Sequence, residues 1–169
     1  MSEARGFDWR VLRAVALVLL AAKLMLLVLA HPFMDETYYF MWGRHLQLSY
    51  FDHPALGGWT QWLAGAVFGW TILGLRAMVV VTLFGDLALL YLLARRTAGD
   101  DWRWMFWTSA SLFLATPILF GLSSVALPDH LLMFFVLLAL YAVERLREDI
   151  GQARWLYLAA LAIGCIARV

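Results

Sequence analysis

The chain holds one cysteine, four prolines and little charge, and each shortage excludes something. A lone Cys165 rules out an intrachain disulfide, and inside an apolar segment it reads as a small hydrophobe. Charged residues make up 15% of the chain and the formal net charge is +1, so neither a nucleic-acid-binding surface nor an acidic tail is expected. There is no internal repeat, Gly/Ser linker or low-complexity tract, so the sequence reads as one domain or part of one. What fills it instead is 64% hydrophobic and 15% aromatic residues, nine of them Trp, with a mean hydropathy of +0.77. That composition belongs to a membrane protein.

Residues 1–10 form a short polar tail with Arg5 and Arg10, and Arg13 stands just inside the first apolar run. Residues 11–30 are interrupted by Lys23 and end at His31-Pro32, because a residue before proline is pushed out of the helical region. The run is long for the apolar core of a signal peptide and reads as a retained anchor. From Asp35 onward Tyr39, Trp42 and Leu46 recur at helical spacing beside Glu36, Arg44, His45 and Gln47, the pattern of a short amphipathic helix lying in the interface. Residues 49–53 form a turn. Pro54 suits the first position of another helix, with Asp52 or His53 as its cap, and Trp59, Trp62 and Trp70 fit an aromatic belt. Further apolar runs cover 76–94, with Asp86 inside, 104–122, with a kink expected at Thr116-Pro117, 131–143, and the stretch from Trp155 onward. A bilayer core of roughly 30 Å takes about 20 apolar residues per helix. The expected fold is all-α, with about five transmembrane helices and one or two interfacial helices in the first outer loop. Residues 1–169 form a single transmembrane domain, within which 35–70 are an outward-facing juxtamembrane region.

Nine arginines (Arg5, Arg10, Arg13, Arg95, Arg96, Arg103, Arg145, Arg147 and Arg154) fall at one set of turns, against Arg44, Arg76 and Arg168 at the other. By the positive-inside rule the N-terminus is cytoplasmic and the 35–70 region extracytoplasmic, in an inner or plasma membrane. Lys23 and Asp86 each cost about 2.5–3.5 kcal/mol at mid-membrane unless paired or hydrated, and their similar depths predict an ion pair.

The residues able to carry chemistry gather at the outer turns. Asp35 and Glu36 open the interfacial helix, where Asp35 is either its cap or a general base. Asp52-His53-Pro54 and Pro128-Asp129-His130 place an acid beside a histidine at two further turns. His31, Asp52, His53, Asp129 and His130 have no fixed ligand spacing; no metal ligands are assigned and no cofactor is committed, while a divalent ion is left open. Gly57-Gly58 suits close helix approach and lacks the context of a phosphate loop.

In order, these elements resemble the polyprenyl-phosphate-dependent GT-C membrane glycosyltransferases, the group of protein O-mannosyltransferases and of the transferases that put aminoarabinose on lipid A. The resemblance is carried by Asp-Glu-Thr-Tyr-Tyr-Phe-Met-Trp from Asp35, Tyr-Phe-Asp-His-Pro from Tyr50, an Arg-led second span and Leu-Pro-Asp opening a later helix. It covers residues 10–168 and only the N-terminal part of such an enzyme. It implies Asp35 as the catalytic residue, with Glu36, Tyr39, Asp52, His53, Arg76, Asp129 and Arg168 binding substrate. Ala55 and His130 depart from the family pattern.

The implied activity is transfer of a sugar from a polyprenyl-phosphate donor to a lipid or protein acceptor on the outer face, with membrane lipids around it and no nucleic acid. The isolated chain is expected to bind donor without turning it over. A non-catalytic membrane subunit derived from such an enzyme, and a small ion-coupled transporter using Lys23 and Asp86, are the alternative classes. Orientation is directly testable: with Cys165 replaced, a cysteine at Gln47 should react with impermeant maleimide from the outside of intact cells, and labelling from the cytoplasmic side alone would invert the topology.

Overall fold

In hydrocarbon, backbone N–H and C=O groups have no water to bond, so the apolar runs fold as helices that satisfy themselves. The computed structural model describes residues 8–148 and 151–169, and Arg5 lies outside the described residues. Helix α1 spans Trp9–Leu29 and is capped by Asp8, which accepts from the Arg10 N–H at 3.1 Å. It ends one residue before His31-Pro32, as the proline requires. Helix α2, Met34–Arg44, and helix α3, Leu56–Phe68, make a short hairpin around the turn between them. Helix α4, Ile72–Thr97, starts one turn before Arg76 and is capped by Thr71. A 3-10 turn at Gly99–Asp101 leads into α5, Trp102–Ala115, and α6, Pro117–Leu122, which are separate helices because Thr116 turns extended before Pro117. Helices α7, Asp129–Glu148, and α8, Ala153–Ile166, complete the described chain.

Helix α1, of 21 residues, and α4, of 26, are long and apolar enough to cross a bilayer. The next expected pass is divided between α5 and α6, α7 carries charge through its last turn, and α8 has 14 apolar-rich residues. The register of contacts fixes direction. Ser111 donates to the Leu12 carbonyl and Lys23 to that of Phe120, so α1 runs parallel to α5 and α6. Thr82 meets His130 and Arg96 meets Glu148, so α4 and α7 run parallel in the other sense. The shared core is Ala16 and Leu27 of α1, Leu75, Val79 and Leu83 of α4, and Ala110, Phe113 and Leu114 of α5, closed by Ala126.

Two buried cations organise the polar interior. Arg76 has five N–H donors, and all five bonds are made. Its Nε donates to Glu36 Oε1 at 3.0 Å, one terminal nitrogen to the Leu27 and Ala30 carbonyls at 2.8 and 2.9 Å, and the other to Glu36 Oε2 at 2.8 Å and the His31 carbonyl at 3.3 Å. Glu36 also accepts from the Phe33 N–H at 2.7 Å and from the Ala126 N–H at 2.9 Å. This clamp joins the end of α1, the start of α2, the start of α4 and the loop before α7.

The second cation is Lys23, fully buried, whose three N–H donors go to the Phe120 carbonyl, Ser123 Oγ and Ser124 Oγ at 2.8, 2.6 and 2.9 Å, with the Phe120 ring 4.6 Å away. The ion pair expected with Asp86 does not form. Asp86 is equally buried and neither of its carboxylate oxygens has a hydrogen-bond partner. The sequence placed the two charges at one depth, but the early end of α6 offers the ammonium closer acceptors.

Two predictions follow from these geometries. Because Lys23 is hydrogen-bonded and Asp86 is not, Lys23→Met should destabilise the protein by about 1–3 kcal/mol in a denaturation titration while Asp86→Asn is near neutral; equal losses would restore the ion pair. Burial alone would raise the Glu36 carboxyl, yet the bonds from Arg76, Phe33 and Ala126 hold it below its ordinary 4.5. A group depressed on folding stabilises above its unfolded value and loses that contribution as pH falls through the folded one. Thermal stability should therefore drop on acidification below 4.5, and Glu36→Gln, which leaves Arg76 buried without its counterion, should cost about 3–5 kcal/mol at neutral pH and remove that acid step.

Candidate functional site

The turns that carry the acidic residues lie on either side of α2. Asp35 is the second residue of this helix rather than its cap, since the cap position is Phe33 and carries no side-chain bond. Its carboxylate is exposed and makes no hydrogen bond among the described residues, and it lies in the first turn, where the helix dipole favours a negative charge. Glu36, one residue on, points about 100° around the helix and is fully buried in the clamp. Arg76 is 4% exposed with every donor used, so neither partner of the clamp has a free polar atom on the outer surface. They act here by holding α2 in place.

The turn from Tyr50 to Pro54 folds back over α2. Ser49 and Pro54 form an isolated antiparallel bridge, and the Tyr50 N–H donates to the His53 carbonyl at 3.0 Å. The Tyr50 ring stacks on Trp42 with centroids 4.3 Å apart, and its hydroxyl donates to the Trp42 carbonyl at 2.9 Å. Glycine is required opposite it, because a Cβ at Gly58 would come within 2.7 Å of Tyr50 ring carbons. Gly57 faces Pro128, where a Cβ would stand 3.6 Å away in ordinary contact, so of the pair only Gly58 serves a close approach, and that to a turn; the close approach of α2 to α3 is at Gly43, where a Cβ would meet the Trp62 backbone nitrogen at 2.7 Å. The expected cap of α3 at Asp52 or His53 is absent: the cap residue is Ala55, with no side-chain bond. That leaves Asp52 exposed, with Tyr38 Oη 3.4 Å from its Oδ1, and leaves the His53 ring edge-on to Tyr39 at 5.4 Å.

Tyr39 marks where these turns meet. Its hydroxyl is pushed above the usual tyrosine range by burial first, and then by the charges of Asp52, Asp35 and Asp129 in falling order. The three carboxylates are thus near enough for their charges to act on one phenol. His130, beside Asp129, is not among them; it is buried on α7 with Nδ1 2.9 Å from Thr82 Oγ1. Among the described residues no three His, Cys, Asp or Glu side chains are grouped to hold a metal ion. Arg168 lines, with Leu48, Leu56, Trp59, Leu161 and Cys165, an apolar cavity of about 580 Å3 between α3 and α8. Its backbone carbonyl accepts from the Leu56 N–H at 3.2 Å, tying the end of α8 to the start of α3. Arg44 lies over Trp70, 4.9 Å from the ring centre.

Sequence reasoning missed the scaffold beneath the site. Tyr50 was visible only as part of a motif, and the stacking that fixes its turn depends on Trp42 and Gly58, eight residues to either side. The Ala126 N–H that helps hold Glu36 has no signature in any side chain.

A family model described as dolichyl-phosphate-mannose-protein mannosyltransferase matches residues 52–167. Two relatives, each an undecaprenyl phosphate-alpha-4-amino-4-deoxy-L-arabinose arabinosyl transferase from a strain of Pseudomonas aeruginosa, are 34% identical over 121 residues, 71% of this chain and 22% of their own length. The chain therefore spans about a fifth of the curated relatives it matches. No solved structure matches it. The ordered outer turns, the apolar helices and a match across most of the chain lead to one assignment: the chain belongs to the dolichyl-phosphate-mannose-protein mannosyltransferase family, whose members are integral membrane proteins.

Proposed function

We propose that this chain forms the donor-side and catalytic-base portion of a glycosyltransferase that moves a sugar from a polyprenyl phosphate to an acceptor on the extracytoplasmic face. The observation that carries the reading is that α2 holds an exposed Asp35 one turn from Tyr38 and Tyr39, against which the next turn brings Asp52, 3.4 Å from Tyr38 Oη, and His53, whose ring lies 5.4 Å from that of Tyr39. Among these carboxylates Asp35 is the base. It is exposed and unbonded, so its oxygens are free to take a proton, while the buried Glu36 clamp under the next residue keeps its helix still.

In the reaction the acceptor hydroxyl or amine attacks the anomeric carbon, its proton passes to Asp35, and the bond from that carbon to the phosphate oxygen breaks. The polyprenyl phosphate leaves with the electron pair, and a single displacement inverts the anomeric centre. The leaving phosphate needs cationic donors at headgroup level. Arg76 has none to give, so Arg44 and Arg168 take that part, and the cavity between α3 and α8 holds apolar chain beside Arg168. Five alternating passes, with the N-terminus inside, bring these groups to the outer surface. The ion-coupled alternative loses support, since Lys23 has all its donors in structural bonds.

Asp35→Asn is the decisive substitution. Asp35 is neither the cap nor hydrogen-bonded, so in a full-length transferase carrying this segment the fold and donor binding should be unchanged, whereas transfer of labelled sugar from a polyprenyl-phosphate donor in membranes should fall about 100- to 10,000-fold. Near-normal transfer would remove Asp35 from this role and make Asp129 or Asp52 the base to test.

A further inference from the structure

The end of the bundle opposite the carboxylates repeats one arrangement three times. The guanidinium carbons of Arg10 and Arg13 lie 5.6 and 5.5 Å from the centre of a Trp9 ring. Those of Arg95 and Arg103 lie 4.7 and 4.8 Å from Trp102, and those of Arg145 and Arg154 lie 4.6 and 4.9 Å from Trp155. Each tryptophan stands in the first turn of a helix, α1, α5 or α8, and none of these helices has an acidic residue in that turn. A helix N-terminus already carries about half a positive charge, and the acids at the starts of α1 and α5 stand at the cap positions, Asp8 and Asp101, rather than in the helical turn.

The three clasps differ in how far the chain itself supplies an anion. Around Trp155, Arg145 faces Glu148 at 3.6 Å and Arg154 donates twice to Gln152. Around Trp102 the neighbouring Arg96 is taken by Glu148, whereas Arg95 and Arg103 are exposed and have no carboxylate partner among the described residues. Asp100 and Asp101, on the turn between them, are the nearest acids in sequence. A guanidinium stacked on a ring keeps its N–H edge free, and that fork matches two phosphate oxygens.

The surroundings of Trp102 select the kind of phosphate. One turn toward the helix middles, Tyr91 packs edge-on against Trp102 at 5.6 Å, and Leu92 and Met105 are exposed apolar side chains. Cations at the rim with uncovered hydrocarbon directly beside them fit an amphiphile rather than a soluble ion. We propose that the Arg95–Trp102–Arg103 clasp binds the phosphate of an anionic phospholipid headgroup, whose acyl chains run along Leu92 and Met105.

The test compares thermal unfolding of the protein in POPC nanodiscs with and without POPG, for wild type, Arg95→Gln/Arg103→Gln, and Arg147→Gln as an exposed arginine already paired with Glu144 at 2.9 Å. POPG should raise the wild-type Tm, the double variant should lose at least half of that rise, and Arg147→Gln should keep it. A full rise in the double variant, or an equal loss in Arg147→Gln, would overturn the site in favour of a diffuse charge effect. Glycerol phosphate added to POPC nanodiscs separates the sources, and an equal rise from the soluble compound would overturn the lipid assignment. Should the double variant not fold, Arg103→Gln alone is read by the same criteria.

Discussion

Five hydrogen bonds from one arginine determine how this protein is put together where α1, α2 and α4 meet. Arg76 could not be buried without them, because an unpaired guanidinium in a low-dielectric interior costs far more than the packing around it returns. Glu36 supplies the charge and two of the acceptors, and the carbonyls of Leu27 and Ala30 at the end of α1, with that of His31 just beyond it, supply the rest. The carbonyls at the helix end are ones that every helix leaves unsatisfied at its C-terminus. The clamp therefore closes two problems at once: an orphaned helix end and a buried charge. Its geometry then dictates where α2 begins and which way each residue of its first turn faces.

That dictation explains how two adjacent acids have opposite fates. On a helix, successive side chains diverge by about 100°, so fixing Glu36 inward leaves Asp35 outward. The acid that is held has no capacity left for substrate, and the acid that is free has no structural task. One acid of the pair is fixed and the other is open, and the fixed one holds the turn that carries the open one. The turn that carries Asp52 is folded over Trp42, and the loop before Asp129 is held to Glu36 through the Ala126 N–H.

Hydropathy and punctuation in the sequence were enough to place the helices. Pro32, Pro54 and Pro117 mark breaks because proline constrains itself and its predecessor, and the apolar runs between them have no other stable form in lipid. The caps were misread at Asp35 and at Asp52 or His53, since helix starts shift by a residue or two when tertiary bonds compete with local ones. The Lys23–Asp86 pair failed for a related reason. Depth along two helices can be computed from letters, but the acceptors that won, a backbone carbonyl and two serines about a hundred residues away, depend on where a six-residue helix happens to stop.

Lys23 also sets an order of events in synthesis. Its acceptors lie 97 to 101 residues downstream, so when α1 first meets the membrane its ammonium has no partner and carries an insertion penalty of about 2.5–3.5 kcal/mol. Until Phe120 through Ser124 have been made, that charge must stay hydrated, whether by remaining in a water-filled insertion channel or by reaching toward an interface. The buried bonds of Lys23 are thus completed only once α6 and the two serines after it have been made, long after the rest of α1.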